Sequence, residues 1–220
     1  MIFARGPRPD RLPAGPFRDF VAAGPPPDRC PVEELPALAV DLETTGMNPS
    51  ACRMLSVGFV PLNGLSVDLS GARHFVIRQH EPVGQSAVFH GLTDDVLAGG
   101  VELDVVLDEV FTALTGRVLL AHHVPIERGC LSSAAQQRWG VKPRIRAVDT
   151  MLLQARVLGV DPEVAPPGVL RLPAARRDLG LPDYDVHEAL TDALACAEVY
   201  LAQVSRLTKR GRMSLRSIRS

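Results

Sequence analysis

Apolar and polar positions change rhythm along the chain. From Leu38 to Thr44 they alternate with a period of two, so Leu38, Val40 and Leu42 share one face of a strand while Asp41 and Glu43 share the other. Met54 to Pro61 and Arg73 to Arg78 also read as strands, with turn signals at Asn48-Pro49 and Asn63-Gly64. The period then lengthens: Val105, Val106, Val110 and Leu114 recur at helical spacing within Glu102 to Thr115, which stops at Gly116. Arg117 to His122 has the pattern of a buried strand, Ile126 to Trp139 that of a helix closed by Gly140, and Ile145 to Val148 that of a short strand. Helices are expected from Asp149 to Leu158, from Leu170 to Leu179 and over a long final stretch. In that last helix Leu190, Leu194, Ala197, Leu201 and Val204 form the expected buried stripe. Three consecutive strands followed by alternating helices and strands predict an α/β fold, a mixed sheet flanked by helices.

The two ends depart from this pattern. Nine of the 19 prolines fall within residues 1–36, which allows a helix only between breaks, from Pro16 to Ala23. Residues 1–36 are therefore expected to be an extended arm on the surface, residues 37–207 the domain, and residues 208–220 a basic tail. That tail carries Lys209, Arg210, Arg212, Arg216 and Arg219 with no acid, and reads as a solvated terminus with phosphate binding as the alternative.

Composition narrows the setting. With 220 residues, 46% of them hydrophobic, the chain can bury one substantial core. A net charge of −1 lacks the basic excess common in nucleic-acid binders, although a local basic face remains compatible with it. Cys30, Cys52, Cys130 and Cys196 are scattered without a Cys-x-x-Cys pair, which suggests neither a zinc site nor a disulfide framework. No secretory leader and no run of about 18 apolar residues is present, so the expectation is no membrane association and a reduced cytoplasmic compartment.

The acidic pair carries the chemistry. Asp41 and Glu43 on one face of a central strand repel each other unless a proton or a cation intervenes. Hard divalent cations such as Mg²⁺ or Mn²⁺ take oxygen ligands of this kind. A strand end whose acids simply face water is the other reading. Thr44-Thr45-Gly46 directly afterwards shifts the balance, because small residues before a glycine let backbone amides approach a phosphate closely.

Asp41-Leu42-Glu43-Thr44-Thr45-Gly46 resembles Asp-x-Glu-Thr-Thr-Gly, the first motif of the DEDDh branch of the DnaQ-like exonuclease superfamily. The second motif, His-Asn-x-x-Phe-Asp after a buried strand, is matched by His122-His123-Val124-Pro125-Ile126-Glu127, with His123, Ile126 and Glu127 as departures. The third, His-x-x-x-x-Asp, is matched by His187-Glu188-Ala189-Leu190-Thr191-Asp192, where Asp185 and Glu188 could form a capping box. His90-Gly91-Leu92-Thr93 resembles the turn that borders the family's nucleotide pocket. The resemblance spans roughly residues 37–207.

That resemblance implies a ribonuclease H-like sheet, three antiparallel strands followed by parallel ones, and 3′→5′ exonuclease activity. It implies two divalent cations, Mg²⁺ or Mn²⁺, held by Asp41, Glu43, Glu127 and Asp192, with His187 as general base and nucleoside 5′-monophosphates as products. Thr44, Thr45, Phe89, His90, His122 and Ile126 are the implied substrate contacts. Glu127 is one methylene longer than the family's Asp, which bears on the strict octahedral geometry of Mg²⁺. Single-stranded DNA 3′ ends are the first expected substrate and RNA the second, with a polymerase or other replication or repair protein as a partner; the oligomeric state is open. A nucleic-acid-binding or polymerase accessory module that kept the fold without turnover is the alternative that the altered second motif supports.

Overall fold

The computed structural model describes residues 7–49, 51–81, 91–184, 188–209 and 211–220. Its sheet contains β1 (Pro36–Thr44), β2 (Met54–Asn63), β3 (Ser66–Val67), β4 (Arg73–Val76), β5 (Val118–Ala121) and β6 (Ala147–Asp149). The order is β3-β2-β1-β5-β6, with β4 also pairing with β2. The β1–β2, β2–β3 and β2–β4 pairs are antiparallel, whereas β1–β5 and β5–β6 are parallel. The short β3 closes a turn at Gly64, whose φ of 62° and close approach to the Glu33 carbonyl both require glycine.

The helices are α1 (Pro16–Ala23), α2 (Asp94–Ala98), α3 (Leu103–Leu114), α4 (Pro125–Trp139), α5 (Thr150–Leu158), α6 (Leu172–Leu179), α7 (Ala189–Thr208) and α8 (Leu215–Ile218). The period-two pattern of β1 sorts its residues onto two cores. Leu38, Val40 and Leu42 pack with Phe111 of α3 and Leu131 of α4. Ala37 and Ala39 pack with Cys196, Ala197, Tyr200 and Val204 of α7. Asp41 and Glu43 continue the Ala37–Ala39 row and so belong to the face that α7 covers.

Of the expected stripe on α7, Ala197 and Val204 are buried as expected, but the three leucines are not its centre. Ala189, Ala193, Cys196, Ala197, Tyr200 and Leu207 are buried, while Leu190, Leu194 and Leu201 are only half-buried. Small side chains let the helix lie close to the sheet, and the larger leucines flank that contact. No described helix is long and apolar enough to cross a membrane.

Both ends also depart from expectation. The proline-bounded helix forms as Pro16–Ala23, but it is no surface arm: Phe17 and Phe20 are buried in the core. Phe17 stacks on Trp139 at 4.2 Å between ring centroids and meets Phe111 edge-on at 5.0 Å. The tail is not a frayed terminus either. Leu215 and Ile218 are buried, the Leu215 amide donates to the Cys30 carbonyl, and the Ser220 amide donates to the Ala147 carbonyl. The expectation of solvation followed the five basic residues and overlooked the apolar Met213, Leu215 and Ile218 between them.

Candidate active site

Asp41, Glu43 and Asp192 come together although the last two lie 149 positions apart in the chain. Each offers one carboxylate oxygen, and these oxygens all lie within 4.8 Å of one another. Glycine makes the meeting possible. Gly58 pairs with Asp41 across the β1–β2 ladder, and a Cβ there would lie 2.1 Å from the Leu190 amide nitrogen and 2.3 Å from the Ala189 carbonyl oxygen. The first turn of α7 therefore rests directly on the β2 backbone and lowers Asp192 toward the acidic strand. Glu188 is the N-cap of α7, and the Thr191 hydroxyl donates to its carboxylate at 2.5 Å. His187, Asp185, Phe89 and His90 lie outside the described residues.

Glu127 is not among the three whose oxygens converge within 4.8 Å, yet its charge is the largest single repulsion on Asp41. It sits in the first turn of α4, is 4% exposed, and has a side-chain oxygen, Oε2, without a hydrogen-bond partner. Burial raises its carboxyl to about 8, the charge of Asp149 adds to that rise, and its own backbone amide opposes it. Burial also lifts the Asp41 carboxyl well above the usual carboxylate range, with Glu127, Asp192 and Glu43 adding repulsion in that order. The site thus concentrates carboxylates whose ionisation is costly without a counter-charge. An orphaned buried oxygen beside three convergent carboxylates suits hard divalent cations, so the donor set fits the implied metals.

A consequence can be measured without substrate. In the folded state Glu127 keeps its proton to about pH 8, whereas in the unfolded chain a glutamate loses it near the ordinary value of 4.5. Between those limits the folded state binds more protons, so stability should fall as pH rises, by on the order of 5 kcal/mol. Urea melts in chelator should show that decline. Glu127→Gln should lessen it, leaving the share due to Asp41, and Mn²⁺ should raise stability most at the alkaline end.

The segment that presents Glu127 is held by a residue the sequence reading did not single out. Asp149, 3% exposed at the end of β6, accepts hydrogen bonds from the amides of His123 (3.2 Å), Val124 (3.0 Å) and Met151 (2.9 Å). It caps α5 and fixes the approach to α4 with one carboxylate. His123 has a φ of 84°, a left-handed conformation in which Asn and His are enriched among non-glycine residues. That is a physical reason for Asn or His at this position of the motif. An Asp between a buried strand and a helix was the available signal. Asp149→Ala should cost on the order of 3 kcal/mol, since one buried and two half-buried amides lose a shared acceptor, and Asp149→Asn should cost less. Equilibrium denaturation would measure both.

Both ring nitrogens of His122 are engaged within the fold. Its Nδ1 lies 2.8 Å from the Thr150 hydroxyl and its Nε2 lies 2.8 Å from the Leu170 carbonyl. Burial lowers its pKa, so the neutral ring donates from Nε2 to Leu170 and accepts at Nδ1 from Thr150. Both nitrogens are occupied, and His122 braces β5 against α5 and the loop before α6. The Thr44 hydroxyl donates to the Gly46 carbonyl at 2.9 Å, and the Thr45 hydroxyl accepts from the Arg53 amide at 2.9 Å. The two threonines therefore build the turn after β1. Ile126 is half-buried beside Glu127.

A mixed sheet with carboxylates converging at the end of its central strand defines the ribonuclease H-like class of exonucleases. The Exonuclease family model, RNase T, matches residues 38–200, and the chain belongs to that family. It is 30% identical over 207 residues to MT2247 of Mycobacterium tuberculosis (strain CDC 1551 / Oshkosh), whose name provisionally gives it exonuclease and endonuclease roles. That match covers 90% of this chain and 31% of the relative. It is 26% identical over 180 residues to the DNA polymerase III epsilon subunit of Pasteurella multocida (strain Pm70), covering 78% of this chain and 69% of that protein. The chain spans a third or less of the first curated relatives it matches. Among solved structures, the nuclease domain of 3'hExo, a DEDDh family member bound to rAMP, has a TM-score of 0.65 at 16% identity, covering 77% of this chain and 92% of that one. Zinc-bound E. coli exonuclease I with single-stranded DNA has a TM-score of 0.67 at 15% identity, covering 80% and 42%. At such identities these two establish the shared fold.

Proposed function

We propose that this domain is a divalent-cation-dependent 3′→5′ exonuclease that releases nucleoside 5′-monophosphates from single-stranded DNA, with RNA as the second substrate. The observation that carries the reading is the convergence of Asp41, Glu43 and Asp192 within 4.8 Å, on a chain of the Exonuclease family. Asp41, Glu43 and Asp192 would hold a pair of divalent cations, with the orphaned Oε2 of Glu127 as the fourth donor. Mg²⁺ or Mn²⁺ there supplies positive charge for the phosphate and acidifies the attacking water.

The remaining steps fall to the protein. His187 takes the water's proton on a ring nitrogen, which requires the neutral imidazole. Ile126, with Phe89 and His90, borders the terminal nucleotide. The turn that Thr44 and Thr45 build fixes the backbone beside the acidic strand. The polymerase III subunit among the relatives favours a replication or repair polymerase as partner.

Replacing His187 should therefore remove most of the mononucleotide release at neutral pH. The test compares 3′-labelled single-stranded DNA and RNA with the parent protein and His187→Ala. Faster mononucleotide release from DNA, lost in the variant at neutral pH, supports the proposal. A variant with full rate removes His187 from the mechanism. Binding of both polymers without release favours an accessory module instead, a reading motivated by the position of Glu127 outside the carboxylate trio.

A further inference from the structure

Two of the four scattered cysteines meet in the fold. Cys52, in the loop between β1 and β2, and Cys130, on α4, are 78 residues apart in sequence, and their Sγ atoms lie 3.2 Å apart. Both are free thiols. The acidic centre uses neither.

The approach is built by the surrounding chain. A Cβ on Gly129 would lie 2.5 Å from the Cβ of Pro49, so glycine at this position lets the loop lie directly on α4. The Cys52 amide donates to the Asn48 carbonyl at 2.8 Å, and the Arg53 amide donates to the Thr45 hydroxyl at 2.9 Å. Cys52 is thus fixed on both sides in the chain while its sulfur faces Cys130. Both residues line a cavity of about 370 Å³, whose wall also includes Arg53, Gln79, Ser133 and Gln137. The cavity gives a small polar reagent a path to the sulfurs. The other two cysteines lack such a neighbour: Cys196 is buried 3.5 Å from the Thr150 hydroxyl, and Cys30 donates to the Pro31 carbonyl.

We propose that Cys52 and Cys130 form an oxidation site at which a small hydroperoxide converts the two thiols into a disulfide, joining the loop after the acidic strand to the helix that carries Glu127. Cys52 is half-buried and Cys130 only 3% exposed, so Cys52 reacts first. Its sulfur displaces water from hydrogen peroxide, breaking the O–O bond and giving the sulfenic acid. Cys130 then attacks that sulfur; the S–O bond breaks, and the sulfenic oxygen leaves as a second water with the Cys130 proton. Burial raises the Cys130 thiol above the ordinary range, so it is the poorer first nucleophile, and its attack on the sulfenic acid relies on the short distance between the two sulfurs. The two thiols give up two electrons, and the peroxide takes them.

The test treats the reduced full chain with hydrogen peroxide, digests it without reductant and maps the peptides by mass. The expected product is a Cys52–Cys130 cross-link two hydrogens lighter than the separate peptides, with two fewer titratable thiols. Dithiothreitol should restore all four. The cross-linked protein should melt at a higher temperature, because the bond closes a long loop in the unfolded chain. Cys52→Ser should give no cross-link and leave Cys130 unmodified. Accumulation of Cys52 sulfinic or sulfonic acid beside a free Cys130 would overturn the proposal. So would a cross-link between another pair, or a lowered melting temperature of the linked protein.

Discussion

Replacing Asp41 by Asn should reduce divalent-cation-dependent mononucleotide release by on the order of 10³-fold or more, and should also raise the melting temperature in chelator. The two effects have one cause. Asp41 lies among Glu43, Glu127 and Asp192, and burial and their charges hold its carboxyl well above the usual range. In the absence of cations that crowding destabilises the fold, and an amide of the same shape removes one of the repelling charges. With cations present the same carboxylate is a donor, and an amide oxygen carries no charge to replace it. A loss of activity together with a loss of stability would indicate that Asp41 serves the fold, contrary to this account. Initial rates in Mn²⁺ and thermal melts in chelator measure the two quantities on one preparation.

Gly58→Ala should cost about 3 kcal/mol of stability and reduce the cleavage rate by roughly 10²-fold. The new Cβ would face the backbone of Ala189 and Leu190 at 2.1–2.3 Å, and backbone cannot rotate aside as a side chain can. The start of α7 would have to withdraw from β2, carrying Asp192 away from Asp41 and Glu43. Displacements of about 1 Å at a catalytic centre cost rate on that scale. Gly46→Ala is the control for stability, because no atom lies within 4 Å of a Cβ built there. If Gly58→Ala melted and cleaved as the parent does, the helix would not be seated as described.

What was legible in the sequence was whatever depends on local periodicity. Asp41 and Glu43 share a face because a strand alternates, and the flanking Leu38, Val40 and Leu42 revealed that alternation before any contact was known. The α/β alternation and the proline-bounded helix at Pro16 were legible for the same reason. What escaped depends on close approach between distant segments. The buried face of α7 carries alanines, which give a weak hydrophobic signal, so the expected stripe held Ala197 and Val204 correctly but filled its other places with Leu190, Leu194 and Leu201. Gly58 was hidden inside an apolar strand, where its purpose shows only once α7 is laid against it. Asp149 looked like the start of a helix, and its grip on His123 and Val124 spans 25 or more residues of chain. His122 matched the motif in identity, yet its ring is spent on Thr150 and Leu170.

The most direct measurement follows single-stranded DNA labelled at its 5′ end, incubated with the protein in Mg²⁺ or Mn²⁺ and in chelator. Metal-dependent shortening one nucleotide at a time from the 3′ end, with nucleoside 5′-monophosphates as the released product, is the expected result. Internal cuts, chelator-resistant cleavage, or an intact strand in both metals would contradict the account.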